Sequence, residues 1–234
     1  MAALSLAGHT IPNRDLVSRF LHALAPSDGC FPSITSGWCF LNAMRLLNEP
    51  LDISPRAWLY DEMRGLEDAL THGRQMEWSG ALKDMGRLLE LCNLYGVDCN
   101  LNGLRQVVLN LQWPSGGYGW PGANLLDTEA IVRIYALLHW KLQRSMLKYA
   151  HMCENENLGF TLAPEASNAT LAVLRAGLHI VHFFGERLRY ERVLLRYILT
   201  CQTGKGGFAR VPGALADMEN TYIAFECLRY LGQL

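Results

Sequence analysis

Apolar side chains along this chain recur at intervals of three and four residues. Ile131, Ile134 and Leu138 show the spacing in one segment, and it is the stripe that an amphipathic helix turns toward a core. Five further segments are helical in pattern, and they are residues 16–24, 55–70, 101–111, 142–153 and 188–201. No run of β-branched residues alternates with the period of two that a half-buried strand requires. The pattern therefore predicts an all-α fold.

Glycine-rich turns follow these helical segments, and the turns repeat. Residues 112–138 and 202–231 each contain a glutamine, a Gly-Gly-aromatic turn, a Pro-Gly pair, an acidic residue and a threonine that opens an apolar run. Three weaker copies align with them. Each copy has one anchor position, and an aliphatic residue follows each anchor at a constant offset. The five pairs are Gly37 with Leu47, Ser79 with Leu89, Thr128 with Leu138, Thr170 with Ile180, and Thr221 with Leu231. Five copies of one unit, an αα-hairpin, are therefore predicted.

The second helices of the predicted hairpins are the more apolar ones. Residues 171–184 carry few charges, and a helix that is apolar on every face is buried on every face. The first helix at 188–201, with three arginines and a glutamate, suits the outside. Hairpins can stack openly or close into a ring. This contrast favours a closed α/α toroid (barrel) of about five helical hairpins, as a single domain over residues 1–234.

Charge and composition exclude several classes of partner. The chain has 234 residues, with 21 Lys and Arg against 22 Asp and Glu, and a formal net charge of −1. No strong positive field is present to hold nucleic acid, so we expect no nucleic-acid partner. The uncharged run at residues 29–44 is shorter than the ~20 residues of a membrane span. Seven scattered cysteines without a CxxC pair, and no secretion signal at the start, predict a cytoplasmic protein without an integral membrane span.

The repeated turn carries a family resemblance. Residues 112–118 resemble the QW-type repeat of squalene and diterpene cyclases, and residues 201–231 resemble a terminal repeat of protein prenyltransferase β subunits. The resemblance implies an α/α toroid whose central cavity holds an isoprenoid chain. It also implies that the reactive groups lie at the N-terminal ends of the inner helices, which here are the five anchors.

The prenyltransferase resemblance implies a zinc ion, held by Asp and Cys at one inner-helix start and by His at another. The matching positions here are Asp127, Glu129 and Asn220. A carboxylate and an amide in place of a thiolate and an imidazole do not make a tetrahedral N/S site. His179 and His182 lie at i, i+3 on one inner helix, but core histidines are the commoner outcome of that pattern. We therefore predict no metal and no other cofactor.

The cyclase resemblance implies a different chemistry, in which a carboxylic acid in a DxDD motif before a threonine protonates an alkene. One segment reads D-x-E-N-T, which places Glu219 at the proton-donor position with Asp217 beside it. The earlier copy offers Asp127, with Glu129 nearby. A carboxyl in an apolar cavity beside a second carboxylate has a raised pKa and can stay protonated. Acids are also favoured at helix starts by capping and by the helix dipole, so the identity of the acid is left open.

Aromatic residues near the inner-helix starts are expected to face the cavity. The predicted substrate-binding residues are Trp38, Trp78, Asn220 and Tyr222, and the predicted catalytic residues are Glu219, Asp217, Asp127 and Glu129.

The leading hypothesis is a terpenoid cyclase-like enzyme, of isomerase or lyase type, acting in isoprenoid biosynthesis and secondary metabolism. It would bind an isoprenoid or a prenylated small molecule in a central apolar cavity and cyclise it by protonation. The alternatives are a prenyltransferase β-like subunit, with or without a partner subunit, and a non-catalytic toroid that binds an isoprenoid or a protein.

Overall fold

The computed structural model describes the backbone of residues 13–72, 78–98 and 102–234, and the side chains of residues 13–69, 80–98 and 103–234. This part of the chain is almost entirely helical. Its ten helices are α1 (Arg14–Leu24), α2 (Ile34–Leu47), α3 (Arg56–His72), α4 (Trp78–Tyr95), α5 (Asn102–Asn110), α6 (Leu125–Leu137), α7 (Arg144–Met152), α8 (Leu171–Phe183), α9 (Glu191–Thr200) and α10 (Met218–Tyr230).

The strands in this part of the chain have two residues each and form two antiparallel pairs. They are β1 (Glu154–Asn155) with β2 (Gly159–Phe160), and β3 (Phe208–Ala209) with β4 (Ala216–Asp217). These pairs close glycine-rich turns between helices and do not build a layer of sheet. The predicted all-α class is confirmed.

The helices follow the predicted alternation of first and second members. The five predicted first helices correspond to α1, α3, α5, α7 and α9, and the anchors begin or lie near the start of α2, α4, α6, α8 and α10. Partners within a pair contact each other for α1 with α2, α3 with α4, α7 with α8, and α9 with α10. Second helices of neighbouring pairs also contact each other: α2 contacts α4, and α8 contacts α10.

The chain divides into two compact units. Unit 1 comprises residues 1–111 with 133–140, and unit 2 comprises residues 112–132 with 141–234. The first eight residues of α6 belong to unit 2 and the last five to unit 1. The closed toroid and the single domain remain predictions.

Unit 1 has a core of aliphatic and aromatic side chains from its second helices and from α3. Its fully buried members include Leu41, Met44, Leu47, Leu59, Leu82, Met85 and Leu88. Gly37 of α2 lies so close to the ring of Trp58 that an added Cβ would clash with it. The helix anchor in this copy is therefore a glycine because an indole ring occupies the space of its side chain.

Unit 2 is built around α8, which is buried along most of its length. The buried positions are Leu171, Val173, Leu174, Ala176, Gly177, Leu178, His179, Ile180 and Val181. The ring of Phe160 packs directly against Gly177, where no Cβ would fit. This burial agrees with the apolar character that the sequence gives the fourth second helix.

In two of the repeats, the anchor threonine ties the glycine-rich turn to its helix. Thr128 Oγ1 accepts the Tyr118 N–H at 2.9 Å and lies 2.7 Å from the Asn124 carbonyl, to which it donates. Thr221 makes the same two bonds, at 3.0 Å to the Phe208 N–H and 2.6 Å to the Asp217 carbonyl. The threonine recurs because one hydroxyl satisfies a donor of the turn and an acceptor at the helix start.

None of the helices in the described ranges is long and apolar enough to cross a membrane.

Candidate functional site

The start of α6 holds two of the predicted catalytic residues in a capped helix terminus. The Asn124 side chain accepts the backbone N–H of Asp127 at 2.9 Å, which is the bond that a helix cap makes. The Asn124 amide also donates to Asp127 Oδ2 at 2.7 Å. Asp127 is only 3% exposed. A carboxylate at this depth is stabilised by the amide donor and by the N-terminal end of the helix dipole.

The start of α10 has the same arrangement with the amide and the carboxylate exchanged. Asp217 accepts the backbone N–H of Asn220 at 2.7 Å, and the Asn220 amide donates to Asp217 Oδ2 at 2.6 Å. These hydrogen bonds lower the pKa of Asp217. Asp217 is exposed and Asn220 is half-buried. The predicted flanking residues of the D-x-E-N-T segment are thus a surface helix cap, and its carboxylate is ionised at neutral pH.

Glu219, the predicted proton donor, is exposed in the first turn of α10. Its equivalent in the earlier copy is Leu126, which is also exposed, at 37%. The side chain two residues before the anchor threonine therefore points toward solvent in both copies of the repeat. The side chain does not have the apolar surroundings that were expected to keep a carboxyl protonated, and the catalytic role of Glu219 remains a prediction.

Glu129 lies in the opposite environment, one helical turn further into α6 than Leu126. Its carboxylate is 5% exposed and lies 2.9 Å from Nδ1 of His179 in α8. Helical spacing explains the pairing, because the anchor Thr128 fixes the rotation of α6 and the next residue points inward, toward α8. This pair joins the second helices of the third and fourth repeats.

His179 also faces α10. Its Nε2 lies 3.6 Å from Glu226 Oε1, and Arg175 Nη1 lies 3.5 Å from Glu226 Oε2. The side chains of Glu129, His179, Glu226 and Arg175 therefore form one chain of charges across three second helices of unit 2. We call these four side chains the buried charge network.

The network favours the protonated imidazole. Burial alone would lower the pKa of His179, but the hydrogen bond with Glu129 and the negative charges of Glu129 and Glu226 outweigh it and raise that pKa. Burial acts on Arg175 in the same direction, and again Glu129 and Glu226 outweigh it and raise the pKa of the guanidinium. With both bases charged, the two cations balance the two carboxylates. A buried set of four charges is tolerated only when it is balanced in this way.

Two donor atoms of the network are buried without a hydrogen bond to any described residue. They are His179 Nε2 and Arg175 Nε. The 3.5 to 3.6 Å separations from Glu226 are ion-pair distances beyond ordinary hydrogen-bond length. The network therefore has a tightly bonded half, Glu129 with His179, and a looser half around Glu226.

Two aromatic rings also lie near His179. The ring of Tyr230 lies 4.8 Å from the imidazole, edge to face, and the ring of Phe183 lies 6.4 Å away. His182 packs on the same Tyr230 ring at 4.6 Å but is itself exposed. The two histidines thus face different surroundings and do not converge on a common ligand.

The predicted substrate-binding aromatics fall in both units. In unit 1, Trp38 is half-buried on α2, donates to Glu90 Oε2 at 3.1 Å and has the Arg87 guanidinium 5.6 Å above its ring. In unit 2, Tyr222 is half-buried on α10. Trp78 is the first residue of α4, and its side chain lies outside the described residues.

The residues present do not fit the zinc ion that the prenyltransferase resemblance implies. Asp127 and Asn220 are each committed to a helix cap, and Glu129 is bonded to His179. The set of two carboxylates and an amide lacks the thiolate and imidazole donors of such a site. Within the described ranges, no three His, Cys, Asp or Glu side chains are grouped so as to hold a metal ion.

Three members of the network, Arg175, His179 and Glu226, were not among the predicted site residues, and two of them, Arg175 and Glu226, occupy equivalent positions of the repeat. Each stands five positions after its anchor, since 170 + 5 is 175 and 221 + 5 is 226. A charged residue at the same offset in two neighbouring apolar helices, with opposite signs, is a signal that the sequence contained. Its meaning depends on the packing of α8 against α10.

Comparison with known proteins gives a partial similarity. No protein-family model matches the chain. The chain is 25% identical over 116 residues to the geranylgeranyl transferase type-1 subunit beta of Arabidopsis thaliana. The match covers 48% of this chain and 28% of that subunit. The similarity supports a prenyltransferase β-like relationship at most, and it does not extend to a terpene cyclase.

Proposed function

We propose that this chain is a prenyltransferase β-like protein that binds an isoprenoid group along the second helices of unit 2. The observation that supports this proposal most is the glycine-rich turn hydrogen-bonded to its anchor threonine, which occurs in two matched copies. The chain that contains these turns resembles a geranylgeranyl transferase β subunit over part of its length. The named relative makes a geranylgeranyl group the first candidate ligand.

Accessible aromatic surface on α8 and α10 supports this proposal. Tyr222 and Tyr230 are half-buried, and Phe183 is 42% exposed. An isoprenoid chain has no polar groups to pair, so its binding depends on apolar area removed from water. Aromatic faces also stabilise positive charge that develops on an allylic carbon during prenyl transfer. We assign to these rings the walls of the binding face, with Tyr222 as its predicted member.

The buried charge network would fix the spacing of the helices that carry those rings. Glu129, His179 and Glu226 connect α6, α8 and α10. Because the pKa of His179 is raised, its imidazolium is a weaker acid than an ordinary one and is poorly suited to protonate an alkene. The network therefore favours binding and orientation of an isoprenoid over cyclisation started by a proton.

The test is a titration of the full chain with geranylgeranyl diphosphate and with geranylgeraniol, in which isothermal titration calorimetry measures binding. Saturable binding is expected, and Tyr222→Ser should weaken it by about tenfold, because about 1.4 kcal/mol of apolar contact corresponds to that ratio. Tyr60→Ser is the matched control, since Tyr60 is 55% exposed on α3 in unit 1. An absence of saturable binding, or an equal loss in both variants, would overturn the proposal.

Cyclisation by protonation is the second candidate, and the D-x-E-N-T segment favours it. Under this hypothesis Glu219 or Asp127 donates the proton, with Asp217 and Glu129 as the neighbouring carboxylates. Glu219→Gln keeps the side-chain volume and removes the dissociable proton, so turnover should fall by about 100-fold or more if Glu219 is the acid. A loss only in Asp127→Asn would move the acid to α6. Binding without product formation would leave a non-catalytic isoprenoid-binding protein.

A further inference from the structure

Helix α9 has one side packed into unit 2 and one side facing solvent. Leu194 and Ile198 are buried, and the Tyr197 hydroxyl donates to the Ala169 carbonyl at 2.8 Å. These contacts fix the rotation of the helix. The residues that remain on the opposite side belong to neither the charge network nor the glycine-rich turns.

The outer side of α9 contains a hollow of about 360 Å³. Its lining consists of Arg192, Leu195, Arg196, Leu199 and Thr200, and we call these residues the α9 groove. Leu199 is 49% exposed. Two leucines four residues apart, each beside an arginine, give the groove an apolar floor with a basic rim.

The segment around the groove is strongly basic in a chain that is nearly neutral. Residues 187–196 contain four arginines and one glutamate, against a net charge of −1 for the whole chain. Two other arginines of unit 2 are paired, Arg144 with Glu186 at 2.6 Å and Arg175 with Glu226 at 3.5 Å. Arg192 and Arg196 have no carboxylate partner in the described part of the chain, so the positive charge of the groove is uncompensated there.

We propose that the α9 groove is a docking surface for an acidic amphipathic segment of another protein. Aliphatic side chains of that segment would contact Leu195 and Leu199, and its Asp or Glu residues would pair with Arg192 and Arg196. The guanidinium fork matches the two oxygens of a carboxylate. Charge complementarity between the arginines and the acidic segment would determine which partner binds and in which orientation, while the two leucines would supply apolar contact area.

The short length of this surface and its two leucines suit one short protein segment. An extended anion such as a nucleic acid needs a long run of phosphate contacts, whereas this surface is the length of one short helix. The proposal concerns a surface that the isoprenoid proposal does not use, so either one can fail alone.

The probe is a synthetic helical peptide with two leucines four residues apart and glutamates on both sides of them, labelled for fluorescence anisotropy. Binding to the full chain is expected, and the double variant Arg192→Ser with Arg196→Ser should weaken it at least tenfold. Leu195→Ser should weaken it as well, and raising the salt concentration to about 0.5 M should have an effect in the same direction. Lys205→Ser is the matched control, since Lys205 is an exposed cation in a turn of the same unit.

Three results would overturn the proposal. One is equal affinity of the wild type and the double arginine variant for the peptide. Another is equal affinity for a peptide with serines in place of the leucines, which would reduce the interaction to charge attraction alone. The third is binding of the wild type to phosphatidylserine vesicles without binding to the peptide. Circular dichroism and geranylgeranyl diphosphate titration of each variant, both expected to be unchanged, separate a docking defect from misfolding.

Discussion

The starts of α6 and α10 make the same local bonds in different surroundings. In each, a cap residue accepts the N–H three positions later, an amide–carboxylate hydrogen bond links the same two side chains, and a threonine hydroxyl bonds the preceding turn. Yet Asp127 is buried and Asp217 is exposed. The comparison shows that the motif determines how a helix begins, whereas the neighbouring helices determine whether its charges can take part in a buried site.

The largest expected effect comes from breaking the buried charge network, which includes Glu129 from the start of α6 but no residue from the first turn of α10. His179→Leu leaves Glu129 buried without its imidazole partner, and removal of one member of a buried ion pair costs about 3–5 kcal/mol. Urea denaturation at pH 6 measures the loss in the free energy of unfolding. A cost below about 1 kcal/mol would show that α6 and α10 are energetically alike.

The second effect is a pH dependence of stability that the α10 cap does not share. The pKa of His179 in the folded state is raised above its unfolded value of about 6.5. The stabilisation is therefore complete below pH 6.5 and is lost as the pH rises through the folded-state pKa. Each unit between the two pKa values corresponds to about 1.4 kcal/mol.

Urea denaturation of the wild type and of His179→Gln across pH 5 to 9 should show the slope only in the wild type. The same slope in His179→Gln would mean that a group other than His179 titrates. The pH dependence would then no longer distinguish the start of α6, which joins the network, from the start of α10.

The third effect compares the anchor threonines. Thr128→Val removes the acceptor of the Tyr118 N–H at a fully buried site, which should cost about 1–3 kcal/mol. Thr221→Val removes the equivalent acceptor of the Phe208 N–H at a half-buried site, where water can compensate in part, and should cost about 1 kcal/mol. Thermal unfolding of both variants gives the difference, and equal costs would show that burial does not separate the two turns.

The smallest effect is expected at the exposed acid of α10. Glu219→Gln removes a carboxylate from the first turn, where it interacts with the helix dipole through solvent, and the free energy of unfolding should change by under about 0.5 kcal/mol. Chemical denaturation checks this value. A larger loss would mean that Glu219 has a structural partner and would make the two helix starts more alike than their burial suggests.

The sequence predicted local structure well because local structure depends on spacing and on turns. The positions of Thr128 and Thr221 located two of the second helices, and their hydroxyl bonds explain why those residues recur. The direction of Glu219 was not predicted, because a motif match does not include the helical angle relative to a core. Glu226 and Arg175 were missed because their pairing joins residues about fifty positions apart along the chain, and only the packing of α8 on α10 brings them together.

The exchange of asparagine and aspartate between the two caps has a consequence for how such repeats diverge. Asn124 with Asp127 and Asp217 with Asn220 are two versions of one hydrogen-bonded couple, in which the negative charge stands either at the cap or three residues inside the helix. Two substitutions can therefore carry a charge from the rim of a repeat to its interior while every backbone bond stays in place. A family built from this unit can therefore move its reactive groups from one hairpin to another without passing through a badly folded intermediate. The sequence position of a catalytic residue can then change faster during evolution than the fold that holds it.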